Sequence, residues 1–169
     1  INGRIAQNYT GMVLDGEDWK YIQNGLIDYN YTGMAVNDYG WWYFSNGTLD
    51  TSYTGKATNE YGSWYYINGR IAQDYTGMLL DKTTWLYVNE GCIDYNYTGM
   101  AFNEYGWWYV KNGTIDWDYT GMALNEYGWW YVVGGTIDYG YTGLVYDSNY
   151  GWWYVENGVI NFNYDGIAK

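Results

Sequence analysis

Five times along the sequence a tyrosine stands three residues ahead of a tryptophan: Tyr39 and Trp42, Tyr61 and Trp64, Tyr105 and Trp108, Tyr127 and Trp130, Tyr150 and Trp153. In four of these an acid comes just before the tyrosine, at Asp38, Glu60, Glu104 and Glu126. Two chemistries suit such residues. A flat ring covers the apolar face of a pyranose, and an acceptor-only carboxylate takes bonds from its hydroxyls. The same ring faces attract a quaternary ammonium, and a negative field concentrates it. Taken singly, each acid also reads as a residue that keeps a turn soluble.

Catalysis fits poorly. A glycosidase needs two carboxylates about 5 to 10 Å apart in one constellation, whereas every acid motif here is repeated. The chain has no histidine, the commonest general base and metal ligand. No run matches a calcium loop, so neither a metal nor another cofactor is implied. Asp28, Asp50, Asp94, Asp116 and Asp138 each follow an aliphatic residue after a turn and are expected to brace a loop.

The positioning elements follow from a short period. A turn glycine recurs at Gly3, Gly25, Gly47, Gly69, Gly91, Gly113, Gly135 and Gly158, in steps of 22 residues and finally 23. A second glycine, after Thr in seven copies, keeps step with it from Gly11 to Gly143. The clearest copy, YGWWYVKNGTIDWDYTGMALNE, runs from Tyr105 to Glu126. Trp107 to Lys111 reads as a strand, Asn112-Gly113 as a type I′ turn and Thr114 to Asp116 as the return. One hairpin is marginal in water, so each must bury a face on the next. The predicted fold is all-β, a tandem hairpin solenoid of about eight repeats spanning residues 1–169 as one module. The segment Ile1 to Asp15 returns at Ile67 to Asp81, an offset of three repeats, which fits a superhelix of three hairpins per turn.

The order of aromatic strand, Asn-Gly turn, short strand and Thr-Gly resembles the choline-binding and glucan-binding repeats of Gram-positive surface proteins. YGWWYVKNG is similar to a 22-residue variant found in surface proteins and wall hydrolases of anaerobic bacteria. The resemblance covers essentially the whole chain and implies a ligand among choline, α-glucans and other wall polymers. Two features depart from the commoner pattern: the tryptophans are adjacent, and Met, Lys, Leu or Ile replaces the usual Trp after Thr-Gly.

Composition narrows the partners. The chain carries 12 Trp and 25 Tyr against 3 Phe, rings with polar handles suited to half-wet surfaces. A net charge of -12 repels nucleic acid and anionic membranes. No apolar run approaches the roughly 18 residues of a membrane span. Cys92 is the single cysteine, so no intrachain disulfide is available. The first residues fall inside a repeat without a signal pattern, and a fragment of a longer secreted or wall-associated surface protein is expected.

Alternation in the strand separates Trp107 and Tyr109 from Trp108 and Val110. The third ring is Tyr in all seven strands, from Tyr21 to Tyr154, and the first Trp is nearly constant, so this face is expected to be core, together with Ile27, Ile93 and Ile115. The second Trp becomes Lys20 and Leu86 in the copies that lack the tyrosine, so the ten rings named first, with their acids, are the expected binding site. The function expected is non-catalytic retention on a wall or glucan polysaccharide through several weak sites. Choline on a teichoic acid is the alternative ligand, and a host protein the alternative partner.

Overall fold

The computed structural model describes residues 6–166, and every regular element in it is a β-strand, 21 in all. The turn expected at Gly3 lies outside the described residues. Each repeat contributes three strands. In the repeat that begins at Gly99, Gly99–Asn103 pairs antiparallel with Gly106–Lys111, with Met100 opposite Tyr109 and Phe102 opposite Trp107. The short strand Thr114–Ile115 returns against Lys111 and Val110.

The predicted turn is present. Asn112 has φ 52° and Gly113 φ 74°, the two positive values of a type I′ turn. A Cβ on Gly113 would come within 2.5 Å of the Asp94 carbonyl oxygen and 2.9 Å of the Tyr95 Cα, because the turn tip docks on the loop of the preceding repeat. The Gly113 N–H donates to the Tyr97 carbonyl at 3.0 Å across that junction. Gly113→Val is therefore expected to cost at least about 1 to 3 kcal/mol from backbone strain. A melting temperature equal to the parent's would overturn the turn assignment.

Each repeat explains its own polar residues. Asp94 Oδ1 accepts the Asn96 N–H at 2.8 Å, and Asp28 Oδ1 accepts the Asn30 N–H at 3.0 Å, the loop brace expected of these acids. The threonine before the second glycine holds a turn: Thr142 Oγ1 accepts the Asn157 N–H at 3.0 Å. The invariant third tyrosine stacks on the tyrosine of the Tyr-Thr-Gly segment, as Tyr109 does on Tyr119 with centroids 3.5 Å apart and planes 10° from parallel. Burial pushes the Tyr119 hydroxyl up to about 12, with Tyr109 and nearby carboxylates adding to it. Its proton is used: the hydroxyl donates to the Met122 carbonyl at 2.7 Å.

Two compact units result. One holds the chain up to Thr76 together with Asn89–Ile93; the other holds Gly77–Val88 and the residues from Asp94 onward. Inside each unit the long strand of one repeat pairs with the short strand of the next, Lys20 with Thr48 and Trp42 with Arg70 in the first, Leu86 with Thr114 and Trp108 with Thr136 in the second.

The core lies between successive hairpins, and both faces of a hairpin take part. In the second unit Met78, Ala101, Val110 and Ile115 form one buried cluster, flanked by Trp85 and Tyr87 from one hairpin and Trp108 from the next. The following layer, Met100, Ala123, Val132 and Ile137, is flanked by Trp107, Tyr109 and Trp130. This corrects the expected division of faces. Ile22, Phe44, Tyr66, Val88, Val110, Val132 and Val155, all two residues beyond the second Trp position, are exposed by no more than 1%. The post-turn Ile115 packs with them rather than with Trp107. The sequence logic assumed one dry face, whereas a stacked hairpin has two.

Candidate functional site

In the pairs at Trp41, Trp107 and Trp129 both tryptophans are half-buried and serve different layers, whereas in the last pair Trp152 is 66% exposed and only Trp153 is half-buried. The first Trp of one repeat and the second Trp of the next flank the same cluster: Trp19 with Trp42, Trp41 with Trp64, Trp85 with Trp108, Trp107 with Trp130, and Trp129 with Trp153. The predicted tyrosines stand at the edge of these layers, 72% exposed at Tyr39, 70% at Tyr61, 74% at Tyr105, 70% at Tyr127 and 65% at Tyr150. Four of them meet the first Trp of the preceding repeat. Trp41 and Tyr61 have centroids 6.4 Å apart, Trp85 and Tyr105 5.9 Å, Trp107 and Tyr127 6.1 Å, and Trp129 and Tyr150 6.1 Å. Tyr39 occupies the same place in sequence relative to Trp19 and Trp42.

A first Trp from one hairpin, and a Tyr and second Trp from the next, therefore border the edge of one layer. At one of these edges lies a cavity of about 190 Å³ lined by Met122, Trp129, Asp147, Tyr150 and Trp153. Tyr150 lies 6.1 Å from Trp153 at 65° and meets Trp129 at 68°, so the rings are walls rather than a flat platform.

An asparagine that the sequence reading missed sets the rings. Asn103 Oδ1 accepts the Tyr105 N–H at 2.9 Å and the Trp108 Nε1–H at 2.8 Å, fixing both in one turn. Asn125 does the same for Tyr127 and Trp130, both at 2.9 Å. Asn37 and Asn59 repeat the arrangement with their own Tyr and Trp. The second Trp and the turn that carries the Tyr thus share one anchor. A sequence signal existed: Asn stands two residues before the Tyr in these four copies, and Asp15 and Asp81 replace it where the Trp is missing.

The predicted acids Asp38, Glu60, Glu104 and Glu126 all lie on exposed turns beside the tyrosines. Two of them act on the hydroxyl. A hydrogen bond with Glu60 raises Tyr61 above the ordinary phenol value, and Glu126 does so for Tyr127. The four carboxylates place negative charge at the rim. The residues not foreseen as site members are the first tryptophans Trp19, Trp41, Trp85, Trp107 and Trp129, the methionine floor, and Asp147.

A family model described as a choline-binding repeat matches residues 30–50, 52–69, 96–116, 118–138 and 140–161. Among solved structures, choline binding protein F from Streptococcus pneumoniae is 19% identical with a TM-score of 0.37, over 95% of this chain and 55% of that one. The chain thus spans about half the length of that protein. Among curated proteins no sequence matches.

Proposed function

The chain belongs to the choline-binding repeat family, and we propose on that premise that it is a non-catalytic module holding the quaternary ammonium groups of a wall polymer. The carrying observation is the enclosure formed by Trp129, Tyr150 and Trp153 over Met122 with a carboxylate in its wall. Trp and Tyr faces within about 6 Å attract a cation. A cavity of about 190 Å³ takes a head group; drug-sized ligands occupy roughly 300 to 1,000 Å³. Linked weak cages would retain a polymer by avidity, gaining roughly 100-fold to 10,000-fold over one site. Such a module anchors a longer protein to a Gram-positive wall.

A second reading rests on other rings. Trp117, Tyr139 and Phe162 are 58%, 57% and 70% exposed and meet Trp108, Trp130 and Trp153 edge-on at 5.3, 5.6 and 5.9 Å. Their open faces would suit a glucan.

One experiment separates these. The protein is loaded on beads carrying choline and, in parallel, on α-glucan beads. We expect free choline to release it from the first at concentrations where equal sodium chloride does not. Release by salt alone would mean simple ion exchange on a protein of charge -12 and would overturn the cage. Retention on α-glucan with none on choline would favour the second reading.

A further inference from the structure

The five ring sets share their aromatic residues but not the place of their charge. In four the acid stands on the exposed turn before the Tyr, at Asp38, Glu60, Glu104 and Glu126. In the last that place is Asn149 and the acid, Asp147, lies in the cavity wall, where water screens it less. In four repeats the position that anchors Tyr and Trp is a neutral amide, Asn37, Asn59, Asn103 or Asn125. Where it is Asn103 or Asn125, the amide Nδ2 is buried without a hydrogen-bond partner. In the last set the position is Asp147, which lines the cavity with Trp129, Tyr150 and Trp153. Its Oδ1 accepts the Asn149 and Tyr150 N–H groups at 2.8 and 3.0 Å, so the turn is kept while a donor amide becomes an acceptor-only anion. This turn is also where the repeat lengthens by one residue, at Asp147-Ser148-Asn149-Tyr150.

The opposite sign is found at the set of Trp19, Tyr39 and Trp42. Arg70 places its guanidinium carbon 5.6 Å from the centre of the Trp42 ring. Its Nη2 donates to the Tyr39 carbonyl at 3.3 Å, so the cation sits between two members of the set. Related repeats carry Thr48, Thr114 and Thr136 at that place. Arg70 thus already occupies the Trp42 face by the interaction an ammonium ligand would make.

We propose that these fixed charges rank the sites for a cationic ligand: the Asp147 cage fills first, the Trp41 and Trp64, Trp85 and Trp108, and Trp107 and Trp130 cages fill next, and the Arg70-capped set fills last. The ranking rests on the cation reading above. A unit charge several ångströms away at a surface-like effective dielectric changes affinity by roughly tenfold. Sites so graded engage a polymer first at the Asp147 cage and then at the others as choline density rises.

The test uses the whole chain, choline as the cation and 3,3-dimethylbutan-1-ol as its uncharged counterpart, read at the tryptophan indole N–H resonances. Signals are assigned by single Trp→Phe variants. With choline, Trp129 and Trp153 are expected to shift at roughly tenfold lower concentration than Trp107 and Trp130, and Trp42 last. Asp147→Asn, which installs the residue of the other repeats, should bring Trp129 and Trp153 to the range of Trp107 and Trp130. Arg70→Thr should move Trp42 to lower concentration. The uncharged compound should show no ranking. Equal midpoints at all cages, or an order unchanged in Asp147→Asn, would overturn the ranking and leave the choline reading standing. No indole shift with choline at any cage would overturn both.

Discussion

Replacing Tyr39, Tyr61, Tyr105, Tyr127 and Tyr150 together by alanine is expected to abolish retention on a choline-bearing surface while leaving the protein folded. These rings are between 65% and 74% exposed, so their removal takes little packing from any layer. Each closes one cage, and loss of one cation–π wall weakens a site by about 0.5 to 2 kcal/mol. One replacement should therefore be modest, because the other cages remain on the same chain. All five together remove the linked binding that multiplies weak sites, a loss of roughly 100-fold to 10,000-fold. Surface plasmon resonance on immobilised choline reads the loss, and a melting curve within a few degrees of the parent shows that folding is intact. Persisting retention with an intact fold would place the ligand elsewhere.

The tyrosines are the right target because the tryptophans are not clean ones. Strand alternation suggests that Trp108→Ala would spare folding and Trp107→Ala would not. In the structure Trp108 packs on Met78, Ala101, Val110 and Ile115, and Trp107 packs on Met100, Ala123, Val132 and Ile137. Loss of either ring damages a layer as well as a cage. Binding and stability therefore fall together at both positions.

The repeat, the strands, the Asn-Gly turns and the aspartate braces were legible in the sequence because each depends on residues close together in the chain. The Asn112 and Gly113 backbone angles are those the dipeptide implies, and Asp94 braces the loop it begins. Half of each cage was legible for the same reason: Tyr105 and Trp108 belong to one turn and share Asn103. The other half was not, since Trp85 reaches Tyr105 only through the stacking of hairpins. A constant tryptophan looked like core because it is both wall and packing. The signal becomes visible when one repeat is aligned with the next rather than with itself. Ser63, the single gap among the first tryptophans, is followed one repeat later by Thr83 and Leu86, where the tyrosine and second tryptophan are both lost. Lys56 replaces the methionine in the same repeat as Ser63.

The largest effect on folding is expected at Phe44. It is fully buried in the layer of Met12 and Ala35, at the position that valine or isoleucine fills in five other repeats. Its ring meets Tyr21 and Tyr31 edge-on at 6.1 and 6.4 Å, beneath a tyrosine pair stacked at 3.5 Å. Phe44→Ala empties that space and should cost about 3 to 5 kcal/mol, the usual range for a buried aromatic. Tyr66 is the internal control, since it fills the equivalent place beneath Tyr43 and Tyr53 at 5.9 and 6.1 Å. Its hydroxyl is buried without a hydrogen-bond partner, and burial pushes its pKa up, so the phenol stays neutral. Tyr66→Phe keeps the ring and removes only that orphan oxygen, and a gain of about 1 kcal/mol is expected, because an unmade buried hydrogen bond is itself a cost. In denaturant, Phe44→Ala should lower the midpoint strongly and Tyr66→Phe should raise it slightly, each with an unchanged slope. A Tyr66→Phe variant less stable than the parent would show that the hydroxyl is satisfied. A Phe44→Ala variant as stable as the parent would show that the space between successive hairpins is not the core.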